Sequence, residues 1–236
     1  MLKNFTIQIF RECRCSKNSI LNRFNGFTLA EVLITLVIIG VIAAMTIPTA
    51  INNMQEQELK SQFAKAYSSV SQALYRAEMY DMFGSAQCYY PYDLENDTRD
   101  TGVATECSKL YTALAKQLKV TKTCKNNAKA EGCVPQYQSY NSSGCGGYSE
   151  DNINNYNTAY VLPNGQIIIR YYSMPLFLID INGQKGPNAY GKDLFSFGIT
   201  KHNNSGLYIN SGVCDYPVSG GRTTREMIKY SMAGIK

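Results

Sequence analysis

A single carboxylate, Glu31, stands near the head of an apolar run that reaches Pro48 without another charge. A charged side chain at the centre of a bilayer costs about 2.5–3.5 kcal/mol on insertion scales, so such a residue needs a positive partner. No lysine or arginine follows Glu31 until Lys60. A cut between Gly26 and Phe27 would create a new amino terminus beside it. If such a cut were made, the chemistry open at this end would be charge pairing between that amine and the Glu31 carboxylate.

Two other sets of residues could do chemistry. Cys88, Cys107, Cys124, Cys133, Cys145 and Cys214 follow the apolar run, while Cys13 and Cys15 precede it. None of the six has the close Cys-x-x-Cys spacing of a zinc site, and His202 is the sole histidine. An even count in an exported domain points to disulfides. Six cysteines allow 15 connectivities. Pairing near neighbours gives Cys88–Cys107 and Cys124–Cys133, and leaves Cys145–Cys214 as a long-range staple. The second set is Asp180, Asn182, Asn188 and Asp193, whose oxygens could serve Ca²⁺, an ion that takes 6–8 of them. The same residues, with Gly183, Gly186 and Gly191, are also ordinary turn chemistry, and Lys185 and Lys192 oppose an ion.

Enzyme chemistry is poorly supplied. The chain has no Gly-x-Ser-x-Gly elbow, phosphate-binding loop or zinc motif. His202, between a strand and two asparagines, reads as a solvated residue.

These residues need elements to hold them. Residues 27–51 form a run of membrane-spanning length. Residues 52–84 continue as an amphipathic helix: Leu59, Phe63, Ala66, Val70, Ala73, Ala77 and Tyr80 recur at intervals of three and four. Pro48 should loosen or kink the helix, and Gly84 is a plausible stop. A second helix is expected over 106–118, capped by Thr105. Residues 126–157, rich in Asn, Ser, Gly and Tyr, read as the most exposed loop. A hairpin is expected over 160–172 about Pro163-Asn164-Gly165, with strands at 176–181, 194–199 and 206–210. Helix first and antiparallel strands after is an α+β layout.

The net charge of +5 misleads. Residues 1–26 hold Lys3, Arg11, Arg14, Lys17 and Arg23 against Glu12, or +4, so the remainder carries +1. Basic residues before a span stay on the cytoplasmic side, which sends the domain after residue 50 outward. Charge is also segregated locally. Asp93–Glu106 is acidic, whereas Lys109–Lys129 holds six lysines and no acid. That pattern suits a contact surface for neighbouring subunits, for DNA, or a solvated helix face; no clear nucleic-acid site stands out.

Gly26-Phe27-Thr28-Leu29-Ala30-Glu31 and the apolar residues to Ala44 resemble the N-terminal segment of type IV prepilins and type II secretion pseudopilins. The resemblance covers residues 24 to about 56. It implies cleavage after Gly26 by a membrane peptidase and methylation of Phe27 by the same enzyme. It makes Glu31 the family's acid at the fifth mature position and Pro48 a helix-kinking proline, both used in assembly. A signal peptide or a plain anchor would leave Glu31 unexplained. The Asp180–Asp193 loop is similar to loops in pilin-like proteins of the secretion group. The resemblance thus implies a pilin-like fold: a long N-terminal helix on a small antiparallel sheet, with a leader (1–26), a span (27–51), a helix continuation (52–84) and an extracytoplasmic domain (85–236). It implies a single-pass inner-membrane protein with a cytoplasmic N-terminus. Expected partners are the peptidase, other pilin or pseudopilin subunits, an inner-membrane assembly platform and lipid. The expected role is a filament subunit, of a secretion pseudopilus or a pilus. A membrane-anchored binding module that never polymerises is the alternative.

Overall fold

The structure, a computed structural model, describes residues 26–80, 88–93, 98–99, 107–137, 149–171, 174–201, 206–212 and 214–233. The expected stop at Gly84 and residues Cys145 and His202 lie outside these, and the expected cap at Thr105 is corrected, because the second helix starts at Ser108 with Cys107 in the cap position. By their internal contacts residues 1–49 and 50–236 form two compact units.

Helix α1, Leu29–Tyr80, runs through Pro48 without a break in assignment. Its first half belongs to the first unit, where the apolar side chains are exposed along almost the whole segment. The residues of α1 after Thr49 belong to the second unit and bury the predicted stripe. Phe63, Ala66, Val70, Ala73 and Ala77 are all buried, together with Leu74, which lies beside the stripe.

The second unit is α+β. Strands β1 (Tyr90–Asp93), β2 (Thr98–Arg99), β3 (Lys122–Cys124), β4 (Ala159–Val161), β5 (Ile167–Arg170), β6 (Leu176–Asp180), β7 (Leu194–Lys201) and β8 (Leu207–Ser211) form one sheet. Its order is β2-β1-β7-β6-β5-β4-β3, with β8 also paired to β7. Every pairing is antiparallel except β1 with β7, which meet in parallel at Thr200–Lys201. The expected antiparallel sheet is thus present, with β1 added to β7 in parallel. Helix α2 is Ser108–Gln117 and α3 is Thr224–Ala233.

The sheet is buried on both faces. One face packs under Phe63, Val70 and Leu74 of α1, Leu110 and Tyr111 of α2, and Met227 and Ile228 of α3, through Ile168, Phe177, Ile179, Phe195 and Phe197. The other face, with Ile167, Ile169, Leu176, Leu178 and Leu194, packs against Val134, Tyr137 and Ile153. Two-sided burial explains why β5 and β6 read as continuous apolar runs rather than alternating ones. Phe63 sits edge-on to Phe195 at 4.9 Å between ring centres and beside Phe197 at 5.7 Å. Truncating such a side chain costs about 3–5 kcal/mol.

The second face overturns one expectation. Of the stretch read as an exposed loop, the described parts include Ala128, Cys133, Val134, Tyr137, Ile153, Asn154 and Asn157, all buried. A π-helical turn, Asn152–Tyr156, closes it. Small and polar residues had disguised a second core layer.

Cys88 bonds Cys107 and Cys124 bonds Cys133, across 19 and 9 residues. Cys214 is disulfide-bonded too; Cys145, the partner assigned to it from sequence, is outside the described residues. Each bridge should add about 2–4 kcal/mol, largely by restricting the unfolded loops. Thiol titration of the processed chain, denatured without reductant, is expected to find no free thiol. Two or more would contradict three bridges.

Candidate processing and assembly segment

Gly26 is exposed and Phe27 is 87% exposed just ahead of α1. Thr28 caps the helix. Its backbone N–H and hydroxyl both donate to Glu31 Oε2, at 2.9 and 2.7 Å, and the Glu31 N–H donates back to Thr28 Oγ1 at 3.2 Å. This is a reciprocal capping box, Thr-x-x-Glu, which satisfies donors the first turn would otherwise leave bare. The sequence reading named Glu31 for its charge and missed this local role, although the spacing was there to be read. The two roles are compatible: the cap uses Oε2, and Oε1 remains for a cation.

The helix that follows has a mean hydropathy of 2.5 over its most apolar 18 residues, none of them buried. It is long and apolar enough to cross a membrane. Within lipid an α-helix meets all its interior backbone hydrogen bonds by itself, and Thr35 and Thr46 turn their hydroxyls to the helix carbonyls of Val32 and Ile42, both at 2.9 Å. An exposed segment of this composition is built for an apolar surrounding.

The four residues of the second candidate set do come together, between β6 and β7. Asp180 Oδ1 accepts from the backbone N–H groups of Asn182 and Gly183 at 3.1 and 2.7 Å, and Oδ2 from the Tyr137 hydroxyl at 2.8 Å. Asp193 accepts from the N–H groups of Asn188 and Ala189 at 2.6 and 2.7 Å. Asn182 Nδ2 donates to the Gly186 carbonyl at 3.2 Å. Gly183 and Gly191 hold φ of +69° and +80°, and a Cβ at either would strike Gly165 O or Pro217 Cβ at 2.1 and 2.2 Å. Both carboxylates are thus fully buried and engaged, Asp193 with the loop's own donors and Asp180 with these and with Tyr137. The buried Oδ1 atoms of Asn182 and Asn188 have no hydrogen-bond partner. Among the described residues no three His, Cys, Asp or Glu side chains cluster as a metal site would.

Burial, reinforced by the charge of Asp193, pushes the Asp180 carboxyl up to about 8 from an ordinary 3.8. Burial raises Asp193 as well. A carboxyl raised in this way holds its proton more tightly folded than unfolded. Its stabilisation is complete below about pH 4 and is lost as pH rises through about 8. Melting the 50–236 unit should therefore give a lower Tm at pH 8 than at pH 5. A loss of 1–2 kcal/mol would appear as about 2–8 °C in a domain of this size. Asp180→Asn keeps an Oδ1 acceptor and should flatten the profile; a wild-type profile already flat would refute the assignment.

Residues 21–47 match the family described as the prokaryotic N-terminal methylation motif. The match falls on the same glycine, capping box and exposed helix, so this end of the chain is a prepilin-type cleavage and methylation segment. Neither the curated proteins nor the solved structures include a match to the chain.

Proposed function

We propose that this protein is a structural subunit of a type II secretion pseudopilus or type IV pilus-like filament. Its leader stays in the cytoplasm and the 50–236 unit lies outside the inner membrane. Prepilin peptidase cuts between Gly26 and Phe27 and methylates Phe27. The processed chain then joins other pilin subunits on an inner-membrane platform, with Glu31 facing the Phe27 amine of a neighbour. The observation that carries this reading is the coincidence of the methylation motif at 21–47 with a capped, wholly unburied apolar helix. Such a helix suits lipid before assembly and like helices after it.

The test is shearing and sedimentation of cells that express the native chain. A filament subunit is released in a pelletable, detergent-sensitive form alongside the membrane-bound pool. A membrane-anchored binding module would stay wholly with the membrane, and that outcome would overturn the filament reading. Calcium at the Asp180–Asp193 loop remains a narrower proposal, favoured by the two unpartnered asparagine oxygens. An ion there requires deprotonated carboxylates, so calcium should raise the Tm at pH 8 more than at pH 5. No shift at either pH leaves the loop a turn held by its own N–H groups.

A further inference from the structure

The apolar surface of α1 continues past Pro48. Ile51 and Met54 are exposed, and the polar residues Asn52, Gln55 and Glu56 alternate with them along the helix. At about 1.5 Å per residue, Asn52 to Glu56 take up about 6 Å of helix. The headgroup layer on one side of a bilayer is about 5–7 Å deep. These turns belong to the second unit, where they line a groove of about 1200 Å³. The same groove is lined by Asn182, Lys185 and Lys192 of the loop between β6 and β7, and by Gly220, Gly221 and Arg222 ahead of α3.

Four cations and three carboxylates line this groove, and they are not equally free. Glu56 takes both Lys60, at 3.0 Å, and Arg222. Glu58 accepts from the Gln62 amide at 2.9 Å, and Glu226 accepts from the Thr223 N–H at 3.0 Å. Among the described residues no ion pair engages Lys185 or Lys192. Their loop is anchored at both ends. Asp180 accepts from the N–H groups of Asn182 and Gly183, and Asp193 from those of Asn188 and Ala189. Lys185 is exposed and Lys192 half-buried. A lysine so placed can lay its stem along apolar lining, here Leu59 and Pro187, and offer its ammonium to an anion.

We propose that this groove seats the phosphate headgroup of an anionic phospholipid, with Lys185 and Lys192 as its counter-charges. The inference rests on the reading of α1 as a membrane-inserted helix and assigns a lipid contact to the 50–236 unit. Position along the chain favours a lipid over a second copy or a soluble anion. Asn52 directly follows Ile51, the last residue of the span, so a groove that includes Asn52 begins within one residue of the lipid boundary. Lysines at that level are drawn to anionic headgroups, and the attraction fades within a Debye length. So bound, the β6–β7 loop stays at the bilayer surface until the subunit leaves it.

The experiment uses the full-length chain in nanodiscs of phosphatidylcholine, with or without phosphatidylglycerol. Lysine acetylation is followed residue by residue by mass spectrometry. Lys185 and Lys192 should react about fivefold more slowly in the discs that contain phosphatidylglycerol. Lys125 and Lys129, which do not line the groove, should change little. A phosphatidylglycerol with a diazirine on its headgroup should crosslink to peptides spanning 182–192. Lys185→Gln with Lys192→Gln should lower that yield about tenfold or more, with the Tm unchanged. Equal acetylation rates in the two kinds of disc would overturn the proposal while the chain remains inserted, which leaves the membrane reading standing. A chain that does not stay with the discs defeats both. Equal slowing of every lysine would reduce the effect to general surface charge and overturn the site. Loss of the protection on adding inorganic phosphate, at an ionic strength matched with chloride, would assign the groove to a free oxyanion and overturn the lipid.

Discussion

Gly26→Val should leave the chain at full length in the membrane. The wild-type chain should instead lose residues 1–26 and gain one methyl group on Phe27. Scission requires the Gly26–Phe27 bond to enter the peptidase site, and glycine offers no side chain to exclude. One methylene in a close-fitting pocket is worth about 1–3 kcal/mol of specificity. Valine adds three carbons, so processing should fall by about a hundredfold or more. The fold gives the experiment a clean reading: a Cβ placed on Gly26 meets nothing within 4 Å. Loss of processing would therefore report on access to the peptidase and not on misfolding. Intact-mass analysis of the membrane fraction decides it, and a mature protein that begins elsewhere would remove the prepilin reading.

The second large effect separates the two roles of Glu31. Glu31→Gln keeps an oxygen for the Thr28 donors, since glutamine serves a capping box as glutamate does. It removes the charge that would meet a neighbour's Phe27 amine. Glu31→Ala removes both. Losing one partner of a buried ion pair costs about 3–5 kcal/mol, against about 1 kcal/mol for a lost cap. Both variants should be processed normally, and both should be incorporated poorly into sheared filaments, the glutamine variant nearly as poorly as the alanine one. Glutamine incorporated like wild type beside a defective alanine variant would reduce Glu31 to a helix cap.

The contrast between cap and charge also marks what was legible in the sequence. The α1 stripe from Leu59 to Ala77 was readable because a 3.6-residue period is local information. The hairpin of β4 and β5 was readable because Pro163-Asn164-Gly165 fixes its turn. Strands β5 to β7 were found as apolar runs, although their two-sided burial was hidden along with the layer that covers the second face. Helix α3 escaped because ten residues with several charges make a weak pattern. Its start was spelled out nonetheless: Thr223 and Glu226 exchange hydrogen bonds at 3.0 and 3.2 Å, the same Thr-x-x-Glu box that opens α1. Strand β3 escaped because three residues, two of them exposed, carry no period. At the Asp180 loop the acids and turn residues were identified, but Tyr137 was not, because it arrives from 43 residues away. Local chemistry is written locally, whereas the partner that buries a carboxylate is chosen by the fold.

The wholly unburied apolar half of α1 has a consequence for reversibility. If the proposed filament forms, a helix like this leaves one oily medium for another as it moves from acyl chains into a bundle of its own kind. Lipid tails are as apolar as leucine, so water release supplies little of the driving force. What would distinguish the two states is close packing, the pairing of one carboxylate and the fit between outer domains. In the proposed filament, subunits that draw so little from water release would be added or removed by a small bias applied at its base, and would return to the bilayer still folded.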